Sequence, residues 1–154
     1  MSELSVNNDY EFVAVYEKVS VYNETNILDS KYLIYNAEST YGGISIGLNT
    51  DYSLSGKITL PTSIEGKTVT AIAENGFAGS KHNITHIFWA DPPTENHVSS
   101  RGLKDIKPSA FYNSINLKYY EQPDTCRTLG NSAFSNCSSL RNEYHGHNVT
   151  YEIL

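Results

Sequence analysis

The segment AFYNSINL at 110–117 returns as AFSNCSSL at 133–140, and a looser version, GFAGSKHNI, stands earlier at 76–84. The flanks repeat along with the phrase. Val69, Ile72, Phe77, Ile84 and Ile87 of the first copy correspond to Leu103, Ile106, Phe111, Leu117 and Tyr120 of the second. In the third copy the same places hold Cys126, Leu129, Phe134, Leu140 and Glu143. Phe111 and Phe134 lie 23 residues apart, as do Ile106 and Leu129, whereas Phe77 and Phe111 lie 34 apart, so the first unit holds 11 extra residues. One of these precedes Ile84. The other ten fall in FWADPPTENHVSSRG, which has the composition of a loop. The underlying period is 23.

A period in the twenties, with apolar positions held and the residues between them free to vary, is the mark of a leucine-rich solenoid. One such unit cannot bury its own apolar edge, so neighbours must stack. The spacings Leu103-x-x-Ile106 and Leu117-x-x-Tyr120 are too short for independent helices, and Pro108 stands where a first helical turn would accept it. Each unit is expected to run strand, single helical or 3₁₀ turn, strand. Phe77, Phe111 and Phe134 then form one internal aromatic column, since apolar positions recurring at the repeat spacing face the core.

Taken together, ITLPTSIEGKTVTAIAENGFAGS, LKDIKPSAFYNSINL and CRTLGNSAFSNCSSL resemble the BspA-like, or Treponema-type, leucine-rich repeats. The shared skeleton is hydrophobic-x-x-Ile/Leu, Ala/Gly-Phe, a polar turn, then Leu/Ile. The resemblance covers roughly residues 58–143. It departs from the pattern at the long loop 88–102 and at Glu143, whose charge suggests a last rung that is exposed, frayed or covered. The implied fold is mainly β, a short solenoid of about three such units.

Before the repeats, YEFVAVYEKVSVY at 10–22 alternates as strands do, and YLIYNA and GGISIGL read as a hairpin closed near Gly42-Gly43. NTDYSLSG follows as a loop. An antiparallel β unit over about 10–60 is expected to cap the open solenoid end. The division is a cap over 1–57 and repeats over 58–154, with NVTYEIL at 148–154 as a candidate last strand.

Composition narrows the function. The net charge of −6, from 17 acidic and 11 basic residues without a basic cluster, disfavours nucleic acid and anionic membrane surfaces. No apolar run approaches the ~20 residues a membrane span needs, and MSELSVNNDYEFVAVY shows no secretory signal. Cys126 and Cys137 occupy small-residue positions of the third copy and are expected as thiols, a bridge between them being the alternative. Of the five histidines only His145 and His147 lie close together, and no further ligand stands at metal spacing. GxSxG, HExxH, P-loop and GxGxxG motifs are all missing. The expectation is a protein that is not an enzyme and carries neither cofactor nor metal.

The 12 tyrosines suit either a binding surface or half-exposed strands. Positions two and four after each unit's Ile/Leu select His86 and Phe88, Tyr119 and Glu121, Asn142 and Tyr144. Trp89, at the mouth of the long loop, and Tyr112 add to this aromatic and polar strip, the candidate site for a protein or glycan. Its alternative is plain sheet surface. Such repeats are common in bacterial surface proteins and in phages, so the resemblance implies work outside a cell. The expected role is a virion component, such as a phage tail, fibre or capsid decoration. The alternative is part of a bacterial surface adhesion protein.

Overall fold

The computed structural model describes residues 18–19, 26–90, 102–141, 143–144 and 147–148. Strand β1 is Lys18–Val19. A 3₁₀ turn, Ser30–Tyr32, leads into β2, Leu33–Ala37, and Asp29 caps it by accepting from the Lys31 N–H at 2.9 Å. β3 is Ile44–Leu48, β4 Ser53–Leu60, β5 Ser63–Ile64 and β6 Lys67–Ile72. A second 3₁₀ turn, Gly79–Lys81, precedes β7, His82–Trp89. The later strands are β8 Asp105–Ile106, β9 Tyr119–Tyr120, β10 Thr128–Leu129, β11 Glu143–Tyr144 and β12 His147–Asn148.

Two sheets run side by side along the repeats. In one, β3, β6, β8 and β10 lie parallel, with Ile46, Ile72, Ile106 and Leu129 in register. In the other, β1, β4, β7 and β9 lie parallel, with Ile58, Ile87 and Tyr120 in register. Between the sheets the chain turns, and there Phe77, Phe111 and Phe134 form the expected column. Ring centroids are 5.5 Å apart for the first pair and 4.8 Å for the second, whose planes differ by only 5°. All three rings are buried, and the Tyr120 ring packs against the lower two at 5.0 and 5.6 Å. Offset aromatic pairs of this kind add about 0.5–1.5 kcal/mol each beyond area burial.

The turns stack as a backbone ladder of their own. Phe77 N–H donates to Ala110 C=O and Phe111 N–H to Ala133 C=O, both at 2.7 Å. Gly79 donates to Tyr112 and Asn113 to Ser135 in the same manner, at 2.8 and 2.9 Å. To aim these donors at the next rung, the residue two before each Phe takes the left-handed region: Asn75, Ser109 and Ser132 have φ of 57°, 59° and 61°. Asn113 and Asn136, two after it, have φ of 63° each, a conformation asparagine tolerates better than most residues. Pro108 therefore opens a tight turn and no helix forms there. At the first rung the approach is closer still, because a Cβ on Gly79 would sit 1.7 Å from the Asn113 carbonyl oxygen.

Side chains extend the ladder. Ser114 Oγ donates to Phe77 C=O at 2.7 Å, and one rung on Cys137 Sγ donates to Phe111 C=O at 3.1 Å. Both cysteines are thiols, and burial pushes Cys137 up to about 11. His82 joins the same spot: its Nδ1 accepts from Ile84 N–H, which leaves the proton on Nε2 to donate to Phe77 C=O at 2.9 Å. Burial holds this imidazole below its ordinary pKa, and the bond to Phe77 only partly opposes that.

The hairpin expected at Gly42-Gly43 is present, with β2 antiparallel to β3 and both glycines at positive φ, 76° and 66°. Antiparallel pairing does not extend over 10–60, however. β3 pairs in parallel with β6, and β4 in parallel with both β1 and β7. Residues 44–60 are thus a further rung ahead of the three legible in the sequence, and SLSG, expected in a loop, opens β4. The rung's turn lacks a Phe, and ahead of it Gly47 of β3 packs on the next rung, where an added Cβ would sit 3.0 Å from the Gly76 Cα. The hairpin turn lies over the parallel sheet: Glu38 is buried and meets Lys107 Nζ at 3.1 Å, and Lys107 reaches Asp105 at 3.2 Å. Burial would raise the Glu38 pKa, but bonds from Thr40 and Lys107 hold it below the usual carboxylate range. Of YEFVAVYEKVSVY only β1 lies among the described residues, and NVTYEIL lies outside them apart from Asn148.

Candidate interaction surface

An irregularity between Ile84 and His86 resets the register of β7, and from His86 to Trp89 alternation decides what faces outward. Ile84 and Ile87 are fully buried, and Ile87 sits between Ile58 and Tyr120 in the core. His86 and Phe88, on either side of Ile87, therefore face away from it. Both are half-buried. On β9, Tyr120 enters the core and Tyr119 takes the outward place, in register with His86. The three rings form one cluster: His86 and Phe88 stack with centroids 6.2 Å apart and planes 11° apart, and Phe88 meets Tyr119 at 5.6 Å. Glu121 follows on the same strand line, its N–H donating to Ile87 C=O at 2.9 Å.

Two members of the expected strip are placed differently. Trp89 is adjacent to Phe88 in an extended strand, so it must turn the opposite way. It joins the core at 4% exposure, and its backbone N–H donates to Glu121 Oε1 at 2.7 Å. Exposure of Trp89 is overturned by the same period of two that exposes Phe88. Tyr119 points outward, yet at 8% exposure it is a buried ring rather than an exposed one. Tyr112 is exposed, but it lies in the turn column outside this sheet. Asn142 lies outside the described residues, as does the loop 91–101; Tyr144 has its backbone in β11, paired with His147.

The strip also reaches residues that spacing did not select. Lys57 and Thr59 of β4 are register neighbours of His86 and Phe88. Spacing does not select them because they lie in KITLP, ahead of Val69 and the first repeated unit. Lys118 N–H donates to Thr85 C=O at 2.7 Å and brings a second lysine to the edge of the cluster. The His86 pKa is lowered, first by burial and then by the fields of Lys57 and Lys118. Register alone thus brings two lysines, distant in the sequence, near one histidine.

Among the described residues no group of three or more His, Cys, Asp or Glu side chains gathers as metal ligands would, and the side chains of His145 and His147 lie outside them. Among the described residues no helix is long and apolar enough to cross a membrane. The arrangement offers an aromatic and polar surface for contact.

Comparison with protein families agrees with the repeat architecture. The family model described as BspA type leucine rich repeat region (6 copies) matches residues 50–151. Among solved structures, the crystal structure of a T. pallidum leucine-rich repeat protein is similar at 21% identity and a TM-score of 0.45. The alignment covers 75% of this chain and 58% of that one, so the chain spans a little over half the length of that structure. A comparison with curated proteins finds no match.

Proposed function

Because the chain belongs to the BspA type leucine-rich repeat family, whose repeat regions generally serve as protein-interaction modules, we propose that it is a non-enzymatic attachment module that docks a partner through His86, Phe88, Tyr119 and Glu121. The supporting observation is the ring cluster on the outer face of the β1–β4–β7–β9 sheet. Three aromatic side chains there pack on one another rather than entering the core, and two of them keep partial exposure. Tyrosine, histidine and phenylalanine held rigid by neighbours offer contact area at low entropic cost. The cluster rests on three parallel strands whose opposite face, Ile58, Ile87 and Tyr120, is buried, so the surface is preorganised. The β2–β3 hairpin belongs to the other sheet, where β2 pairs antiparallel with β3.

The proposed place of work is a surface or extracellular assembly, either a virion or a bacterial cell surface, with a protein or glycan as partner. The test is a pull-down from two sources, a lysate of phage-infected cells and a fraction of host-surface proteins and glycans, using the wild-type chain and Phe88→Ala. Tyr112→Ala, in the turn column, is the control. Retention by wild type and Tyr112→Ala with loss in Phe88→Ala supports the surface, and the source that yields the partner decides between virion and cell surface. Equal retention by all three folded proteins rejects it.

A further inference from the structure

Among the described residues β2, Leu33–Ala37, is the one long strand at a sheet edge, and every other edge strand holds two residues. Its pairing with β3 fixes which backbone groups it leaves over. Leu33 stands opposite Leu48 and Ala37 opposite Ile44. The same register continues at both ends, where Asn49 N–H donates to Tyr32 C=O at 2.9 Å and Glu38 N–H to Gly43 C=O at 3.0 Å. Hydrogen-bonded and non-hydrogen-bonded pairs alternate in an antiparallel ladder, so Ile34 and Asn36 bond to β3, while Leu33, Tyr35 and Ala37 turn their backbone groups to the far side. No strand pairs with β2 there among the described residues. Leu33 N–H is already used by Ser30 C=O. The edge therefore offers the donors of Tyr35 and Ala37 and the acceptors of Leu33, Tyr35 and Ala37.

Proteins blunt such an edge with charge, proline or a bulge. LIYNA has neither charge nor proline, and its ladder with β3 runs without a bulge. Ile34, 51% exposed, and Asn36 lie open on one face of the strand, and on the other the Tyr35 hydroxyl donates to Glu65 Oε2 at 3.2 Å.

We propose that β2 pairs with β2 of a second copy of this chain, antiparallel about a two-fold axis at Tyr35. The two Tyr35 residues then exchange N–H and C=O, and Ala37 N–H of each copy donates to Leu33 C=O of the other. The strand set against itself uses every donor the edge offers, which is the self-complementarity a closed dimer requires. Ile34 falls opposite Asn36 of the other copy, and the two Tyr35 side chains become cross-strand neighbours. The sheet that holds β2 contains none of His86, Phe88 and Tyr119, so the dimer carries two attachment surfaces and gains avidity for a repeated partner.

The experiment uses the full chain. Sedimentation velocity from micromolar to millimolar concentration is expected to show a monomer–dimer equilibrium. Amide hydrogen exchange should slow at Tyr35 and Ala37 as the dimer forms, with Ile34 and Asn36 protected throughout. Each copy has a net charge of −6, so added salt should tighten the dimer. Two double variants at exposed positions test the register, each checked for folding by thermal unfolding. Ile34→Lys/Asn36→Lys sets lysines opposite one another and should weaken association about tenfold. Ile34→Lys/Asn36→Glu sets lysine opposite glutamate and should keep it. A chain that stays monomeric, a dimer without protection at Tyr35 and Ala37, or a dimer that the paired lysines leave unchanged overturns the inference. So does loss of the dimer in both variants, which would exclude the antiparallel register. Protection of the Tyr35 and Ala37 amides in the monomer also overturns it, because another segment of the chain would then fill the edge.

Discussion

Replacing Phe111 by alanine strikes the middle of the aromatic column. Its ring is fully buried between Phe77 at 5.5 Å and Phe134 at 4.8 Å, with Tyr120 at 5.0 Å on its flank. Losing a buried phenylalanine costs about 3–5 kcal/mol through transfer and cavity terms. Three ring contacts, each worth about 0.5–1.5 kcal/mol, are lost with it, so the upper half of the range is expected. The backbone on either side is held by ladder bonds to both neighbouring rungs, which prevents the turn from collapsing into the cavity. Urea unfolding followed by circular dichroism measures the loss, with Tyr112→Ala beside it as an exposed control expected to change stability by less than about 0.5 kcal/mol. A loss below about 1 kcal/mol for Phe111→Ala, well under the range for buried aromatics, would refute the column as the core of the solenoid.

Trp89→Ala should destabilise the fold by about 3 kcal/mol or more, as a buried aromatic does, whereas Phe88→Ala, half-exposed on the other face, should cost markedly less; equal losses in thermal unfolding would reject the alternation along β7. For His82, the folded imidazole titrates below its unfolded value of about 6.5, so the unfolded chain binds more protons in that interval. The stability from its two bonds is complete above that pH and is lost as pH falls toward the folded value. His82→Gln should flatten the stability difference between neutral and mildly acidic buffer, and an unchanged slope would show that His82 is not the group responsible. Cys137, with its thiol pushed up to about 11 and bonded to Phe111 C=O, should resist iodoacetamide in the folded state at mildly alkaline pH and react after denaturation; rapid labelling of the native protein would contradict its burial.

The repeat and its buried positions were open to inspection because they are written as spacing. Phe111 to Phe134 and Ile106 to Leu129 give the period directly, and the structure stacks each pair as neighbours. The rung at 44–60 was hidden for a physical reason. Its turn has no Phe, and it meets the next rung through Gly47 of β3 on Gly76, so it carries none of the phrase that identifies the others. A bulge between Gly56 and Lys57 further shifts its register against β7. On the strip, period two selected His86, Phe88, Tyr119 and Glu121 from positions counted within each unit. Trp89 was added for its place at the loop and for its ring, and alternation sends it inward. Lys57 and Lys118 could not be found from spacing at all, since they come together only when β4 and β9 flank β7.

The most direct test of the attachment surface is a site-specific photo-crosslink. The chain is prepared with p-benzoylphenylalanine in place of Phe88 and, separately, in place of Tyr112. Each is irradiated in the extract that supplies the partner, and the adducts are resolved by mass. The account predicts a discrete adduct from position 88, competed by unlabelled wild-type chain and absent from position 112. An adduct from 112 with none from 88 would contradict it and move the contact to the turns between the sheets.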